Sequence, residues 1–217
     1  MSLPKLAVLI SGRGSNMLAI AAACRSGALP CEVAAVVADR GEAAGVAAAT
    51  ALGVKTAVLA APHAARLSSE QLESKLEAIL AICSPDFIAL AGFMRVLSRA
   101  FVERHLGKLV NIHPSLLPAY RGLHTHRRVL EARELFHGAS VHFVVPELHA
   151  GPVVLQARLA VRPNDNESSL SGRVQTAEHI IYPRALGWLA EGRCSLRGDR
   201  AWLDGRPLDA PIVEAFS

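Results

Sequence analysis

The segment Asn111-Ile112-His113-Pro114-Ser115-Leu116-Leu117-Pro118 sets an amide and an imidazole two residues apart. Lys108–Ile112 reads as a β-strand, so the two side chains emerge on one side at its carboxyl end. In open α/β sheets, ligands bind beyond that end. An amide that polarises a carbonyl, beside an imidazole that handles protons, suits acyl transfer. The same spacing also suits an Asn and a His that only cap a turn. A second candidate is Ser11-Gly12-Arg13-Gly14-Ser15-Asn16, between an expected strand and an expected helix. Its glycines let the backbone approach a ligand, and a helix N-terminus offers N–H groups and a positive dipole to an anion. Met17 stands where a dinucleotide fingerprint has its third glycine, and the Gly-Lys-Ser/Thr ending of a P-loop is missing. The loop reads as a phosphate site or as an ordinary tight turn. Six histidines (113, 124, 126, 137, 142 and 149) crowd one stretch, but their spacing matches no zinc pattern, so no metal is expected.

These groups need a scaffold. Short β-branched runs at Lys5–Ser11, Glu32–Ala38, Lys55–Leu59, Asp86–Ala91 and Lys108–Ile112 read as strands. Helical patterns lie between them, near Asn16–Arg25, Ala43–Leu52, Ser68–Cys83 and Arg99–His105. Continuous apolar strands separated by helices predict a parallel sheet covered on both faces. Ser68 with Gln71 three residues on is a capping-box signature. The second half begins with a loop, His113–His126, followed by a helix to about Glu134. Strands are expected at Gly138–Val145 and Val153–Val161, a long helix at Glu167–Glu191, and closing strands at Ser195–Arg197 and Ala201–Leu203. The expected fold class is α/β: a Rossmann-like, mostly parallel central sheet with helices on both faces, and an antiparallel extension in the C-terminal half.

Composition narrows the partners. The 217 residues are 51% hydrophobic and 19% charged, which excludes a disordered chain. Only 5% are aromatic, and the net charge of +4 is scattered without basic runs. That favours small anionic ligands over nucleic acid. No apolar run reaches the roughly 20 residues of a membrane span. The N-terminus lacks a signal peptide pattern, so a soluble cytoplasmic protein is expected. Cys24, Cys31, Cys83 and Cys194 form no C-x-x-C pair and read as free thiols.

Several blocks together resemble the phosphoribosylglycinamide formyltransferase family, one of the 10-formyltetrahydrofolate-dependent formyltransferases. They are Ser11-Gly-Arg-Gly-Ser-Asn16, Leu90-Ala-Gly-Phe-Met-Arg95, Asn111-Ile-His-Pro-Ser-Leu-Leu-Pro118, Gly122-Leu-His-Thr-His-Arg127 and His137-Gly-Ala-Ser-Val-His-Phe143. Gly151-Pro-Val153, Arg173-Val-Gln-Thr-Ala-Glu-His179 and Ala201-Trp-Leu-Asp-Gly205 complete the set. The resemblance covers almost the whole chain. It implies formyl transfer from 10-formyltetrahydrofolate, as cosubstrate, to the amine of glycinamide ribonucleotide in purine synthesis.

By the same resemblance, Gly14, Ser15, Asn16, Gln175 and Glu178 hold the ribonucleotide, and Asn111 and His113 are catalytic. Met94, Arg95, Val96 and Leu97 line the folate pocket, together with Asn111, Val145, Pro146, Glu147, Leu148 and His149. Residues 1–217 are expected to form one formyltransferase domain. About 1–105 would be its phosphate-binding half, and 106–217 its catalytic and folate-binding half. The oligomeric state is left open.

Two positions depart from the family pattern. His149 stands where relatives carry an essential aspartate, and no arginine matches their folate-contacting one near Ser69, although Arg66 is close by. The alternatives are a formyltetrahydrofolate hydrolase, or a weakly active or non-catalytic relative. A hydrolase is expected to carry an extra N-terminal domain, and a methionyl-tRNA formyltransferase a C-terminal one.

Overall fold

In the computed structural model, which describes residues 2–60 and 67–217, the apolar runs that open the chain become a parallel ladder. β1 (Lys5–Ile10), β2 (Glu32–Ala38), β3 (Thr56–Val58) and β4 (Phe87–Leu90) lie in the order β3-β2-β1-β4. Every pairing among them is parallel. Leu6–Ile10 are all buried, which is why β1 shows an unbroken apolar run instead of alternation. The helices between the strands are α1 (Ser15–Ser26), α2 (Ala44–Ala51), α3 (Ser69–Cys83) and α4 (Arg99–Arg104). The expected capping box opens α3: Ser68 Oγ accepts from Gln71 N–H and Gln71 Oε1 from Ser68 N–H. Leu72, Leu76 and Leu80, one turn apart, are its buried stripe. This compact unit ends at Val110.

A second unit runs from Asn111 to Ser217. β5 (Leu109–His113) leads into it. α5 (Thr125–Glu131), β6 (Phe136–Phe143), β7 (Val153–Ala160) and α6 (Glu167–Ala190) follow. β6 and β7 pair antiparallel from Phe136 opposite Ala160 to His142 opposite Val153, the expected hairpin. Gly151, just before β7, brings its backbone so close to β6 that a Cβ there would lie 1.9 Å from the Phe143 carbonyl oxygen. β8 (Cys194–Arg197), β9 (Arg200–Leu203) and β10 (Arg206–Pro207) form a small antiparallel sheet. The expected α/β class, mostly parallel with an antiparallel C-terminal extension, is the one found.

Three boundaries differ from expectation. The chain does not close on β9: β11 (Ile212–Phe216) pairs in parallel with β7, giving the order β11-β7-β6-β5. Its two leading residues, Ile212 and Val213, are both exposed, so the half-buried alternation that marks a strand is missing. α5 stops at Glu131, because Arg133 takes a left-handed φ of 52°. β6 accordingly starts at Phe136, two residues before the expected Gly138. Among the described residues, no helix is long and apolar enough to cross a membrane.

Candidate active site

At the carboxyl end of β5, Asn111 is half-buried and His113 is 4% exposed. The Asn111 Nδ2–H donates to His142 Nε2 at 3.1 Å. His142 can accept there because its Nδ1–H donates to the Phe143 carbonyl at 2.8 Å, which fixes the tautomer. Burial is the main reason its pKa falls to about 4, so the ring is neutral near pH 7. The bond sets which way the Asn111 amide faces and leaves its second N–H for a ligand.

His113 Nε2–H donates to the Tyr120 carbonyl at 3.1 Å, which leaves Nδ1 as an acceptor. Burial holds its pKa below the usual imidazole value, and Arg128 pushes the same way, while the Tyr120 carbonyl opposes. Its surroundings favour the neutral ring, and neutral imidazole is a base.

His149 stacks on His113, with ring centroids 3.9 Å apart and planes at 29°. The Gly122 N–H donates to His149 Nδ1 at 3.3 Å, so this ring too is neutral, with its hydrogen on Nε2. Its pKa falls to about 4 through burial first, then because an imidazolium here would be repelled by any proton on His113 and by the Arg121 guanidinium. Glu147, two residues away, is exposed. The residue itself sits at φ 50° in the left-handed region.

The loop after His113 is clamped from below. Ser140 is fully buried, with its Oγ–H donating to the Ser115 carbonyl at 2.6 Å and its oxygen accepting Leu117 N–H at 3.0 Å. Gln156 Nε2 donates to Ser140 Oγ at 2.9 Å and to the Leu117 carbonyl at 2.8 Å. Ser115 Oγ–H closes the turn onto the Ala119 carbonyl at 2.7 Å. Sequence reasoning assigned no role to Ser140, Gln156, Tyr120 or Gly122, and took His142 only as one of a cluster. One signal was present: Ser140 and His142 are two apart on a strand and share a face.

The remaining site residues are described within their own units. In the first, Gly14 at φ 75° precedes α1, whose first turn holds no acidic residue and no side-chain cap. A Cβ on Gly14 would lie 3.0 Å from the Gly45 Cα, and Gly45 N–H donates to the Gly12 carbonyl at 3.0 Å. Asn16 is buried and Ser15 half-buried. Met94 and Val96 project into solvent, whereas Leu97 is buried and the Arg95 guanidinium donates to the Leu67 carbonyl at 2.8 Å. Arg66 lies outside the described residues. In the second unit, Gln175 and Glu178 are three apart on α6, hence on one face. Glu178 is only 8% exposed. Val145 and Pro146 are half-buried, and Leu148 is exposed.

The formyl transferase family model matches residues 4–186. The chain is 47% identical over 203 residues to phosphoribosylglycinamide formyltransferase of Escherichia coli (strain K12), covering 94% of this chain and 95% of that one. To the Haemophilus influenzae protein of the same name it is 38% identical, with the same coverage. A solved structure of phosphoribosylglycinamide formyltransferase from Coxiella burnetii, in complex with CHES, superposes with a TM-score of 0.91 at 43% identity. That match covers 98% of this chain and 99% of the other. The chain belongs to the formyl transferases and, among them, to the phosphoribosylglycinamide formyltransferase family.

Proposed function

We propose that the chain transfers the formyl group of 10-formyltetrahydrofolate to the amine of glycinamide ribonucleotide. The observation that carries this reading is the Asn111 amide, oriented by a neutral His142, with the neutral His113 two residues along the same strand. The substrate amine attacks the formyl carbon, an oxyanion forms, and the bond from carbon to the folate nitrogen breaks. The second N–H of Asn111 serves the oxyanion, for which one well-placed donor contributes about 3–4 kcal/mol. His113 Nδ1 takes the amine proton, and the folate nitrogen gains one as it leaves. Holding the two substrates together supplies about 7–11 kcal/mol more. No metal or covalent intermediate is required.

Gly14, Ser15 and Asn16 are assigned to the ribonucleotide phosphate, and the uncapped, acid-free first turn of α1 supports that. Gln175 and Glu178 are assigned to the sugar, where a carboxylate suits hydroxyl donors. Met94, Val96 and Leu148 are assigned to the folate, and each is exposed within its own unit. One observation favours a second reading, a weakly active relative: the neutral His149 at the position of the family aspartate. The test is folate product formation with and without glycinamide ribonucleotide. Turnover that needs the amine supports the proposal. Amine-independent turnover would make the protein a hydrolase, and binding without turnover a non-catalytic relative.

A further inference from the structure

Cys24 lies near the end of α1, and Cys31 stands just before β2. Their Sγ atoms are 3.6 Å apart, in range of a weak S–H···S hydrogen bond. All four cysteines are free thiols. A disulfide bond is about 2.05 Å long, so these sulfurs must close by roughly 1.5 Å. The short connection between them is exposed at Arg25–Ala28, and Gly27 ends the helix at φ 79°. The two thiols are also unequal. Cys24 is partly exposed, whereas Cys31 is only 4% exposed. The hydrogen bond from Cys31 holds the Cys24 pKa below the usual thiol value, against the effect of burial, and the same bond pushes Cys31 far up. The accessible sulfur is therefore the better thiolate, and the buried one keeps its proton. Cys194, by contrast, is buried and pushed up to about 12, and burial raises Cys83 as well.

We propose that Cys24 and Cys31 form a reversible redox pair, in which a peroxide oxidises Cys24 and Cys31 then closes a disulfide that ties α1 to the entry of β2. The Cys24 thiolate attacks the peroxide O–O bond. One oxygen goes to sulfur as a sulfenic acid, and the other leaves as hydroxide and becomes water. The Cys31 sulfur next attacks the sulfenic sulfur; the S–O bond breaks, and the hydroxyl departs with the Cys31 proton as a second water. Two thiols and one hydrogen peroxide thus give one disulfide and two waters. A dithiol reductant reverses the bond. With Cys31 at hand, Cys24 is captured before it advances to the irreversible sulfinic acid. This inference goes beyond the formyl-transfer reading and does not depend on it.

The test uses the whole protein, hydrogen peroxide at a small molar excess, and intact-mass and peptide mass spectrometry. The expected result is a loss of about 2 Da, a linked peptide pair containing Cys24 and Cys31, and recovery with dithiothreitol. Cys31→Ser should instead gain about 16 and then about 32 Da on Cys24, because the resolving thiol is missing. Cys24→Ser should show neither the link nor the gain, while Cys83→Ala/Cys194→Ala should keep the link. Circular dichroism checks that each variant is folded, and the wild-type result stands even if one is not. A linked species that survives Cys24→Ser overturns the proposal. So does wild-type protein that advances to the sulfinic acid, or stays unmodified, under the same peroxide.

Discussion

His149→Asp puts a carboxylate where a neutral imidazole now stacks on His113 at 3.9 Å between centroids. The backbone has no reason to move, because residue 149 already holds φ 50° and Asp is among the residues that adopt this region readily. Two unit charges about 5 Å apart, at an effective dielectric near 20, attract by about 3 kcal/mol. Residue 149 is half-exposed, so we discount this to about 1.5 kcal/mol, close to one pKa unit. The sign follows from the charges. A carboxylate favours the imidazolium that His113 becomes when it takes the amine proton, whereas burial and Arg128 now disfavour it. Turnover should therefore rise at least about tenfold, the equivalent of 1.4 kcal/mol of barrier. The assay is kcat at saturating concentrations of both substrates from about pH 6 to 9, with an NMR titration of His113 alongside. His149→Asn, which keeps the shape without the charge, should not share the gain. Unchanged or lower turnover in His149→Asp, or an equal rise in His149→Asn, would refute the electrostatic argument.

Gly14→Ala should lower stability by about 1–2 kcal/mol in urea unfolding, since φ 75° is strained for any Cβ and Gly45 stands 3.0 Å away. Gly12→Ala, where nothing lies within 4 Å, is the control, and equal losses would sink the explanation. Ser140→Ala leaves the Leu117 N–H without its side-chain acceptor and the Ser115 carbonyl without that donor. It should cost about 1–3 kcal/mol of stability, and a loss under about 0.5 kcal/mol would contradict the clamp. His142→Phe frees the Asn111 amide to rotate, so kcat should fall about 10- to 100-fold with the folate KM nearly unchanged. A change confined to KM would show that the bond positions nothing. Stability should also depend on pH: buried His137 and His142 have pKa values of about 4, against 6.5 when unfolded. The unfolded chain then binds protons first, so stability is complete above about pH 6.5 and is lost as pH falls toward 4, by up to about 1.4 kcal/mol per pH unit for each ring. Urea midpoints that stay flat between about pH 7 and 5 would rule this out.

Much of this was legible in the residues because it was local. The unbroken run Leu6–Ile10, Ser68 with Gln71, and Asn111 two residues from His113 each declare their structure within a few positions. The unseen parts depend on distant pairing. His142 reaches Asn111 across 31 residues of sequence, and Gln156 reaches Leu117 across 39, through strand register that no short window contains. β11 is stabilised by β7, more than fifty residues earlier, and its own side chains carry little of the strand pattern. The charge state of His113 is illegible for a related reason: spacing names an imidazole, but only its surroundings set its proton affinity.

The close approach at Gly151 has a consequence for how this site can change over time. The base of the turn is fixed by backbone meeting backbone, where a Cβ would lie 1.9 Å from the Phe143 oxygen. Two positions earlier, residue 149 adopts a left-handed conformation that short polar side chains and histidine all tolerate. The turn therefore works as a socket. A lineage can exchange the side chain at 149, and with it the field felt by the neighbouring imidazole, without rebuilding the hairpin that carries it. Folding and electrostatic tuning are thereby separable at this position: the backbone at 149 and 151 shapes the turn, and the side chain at 149 sets the charge beside His113.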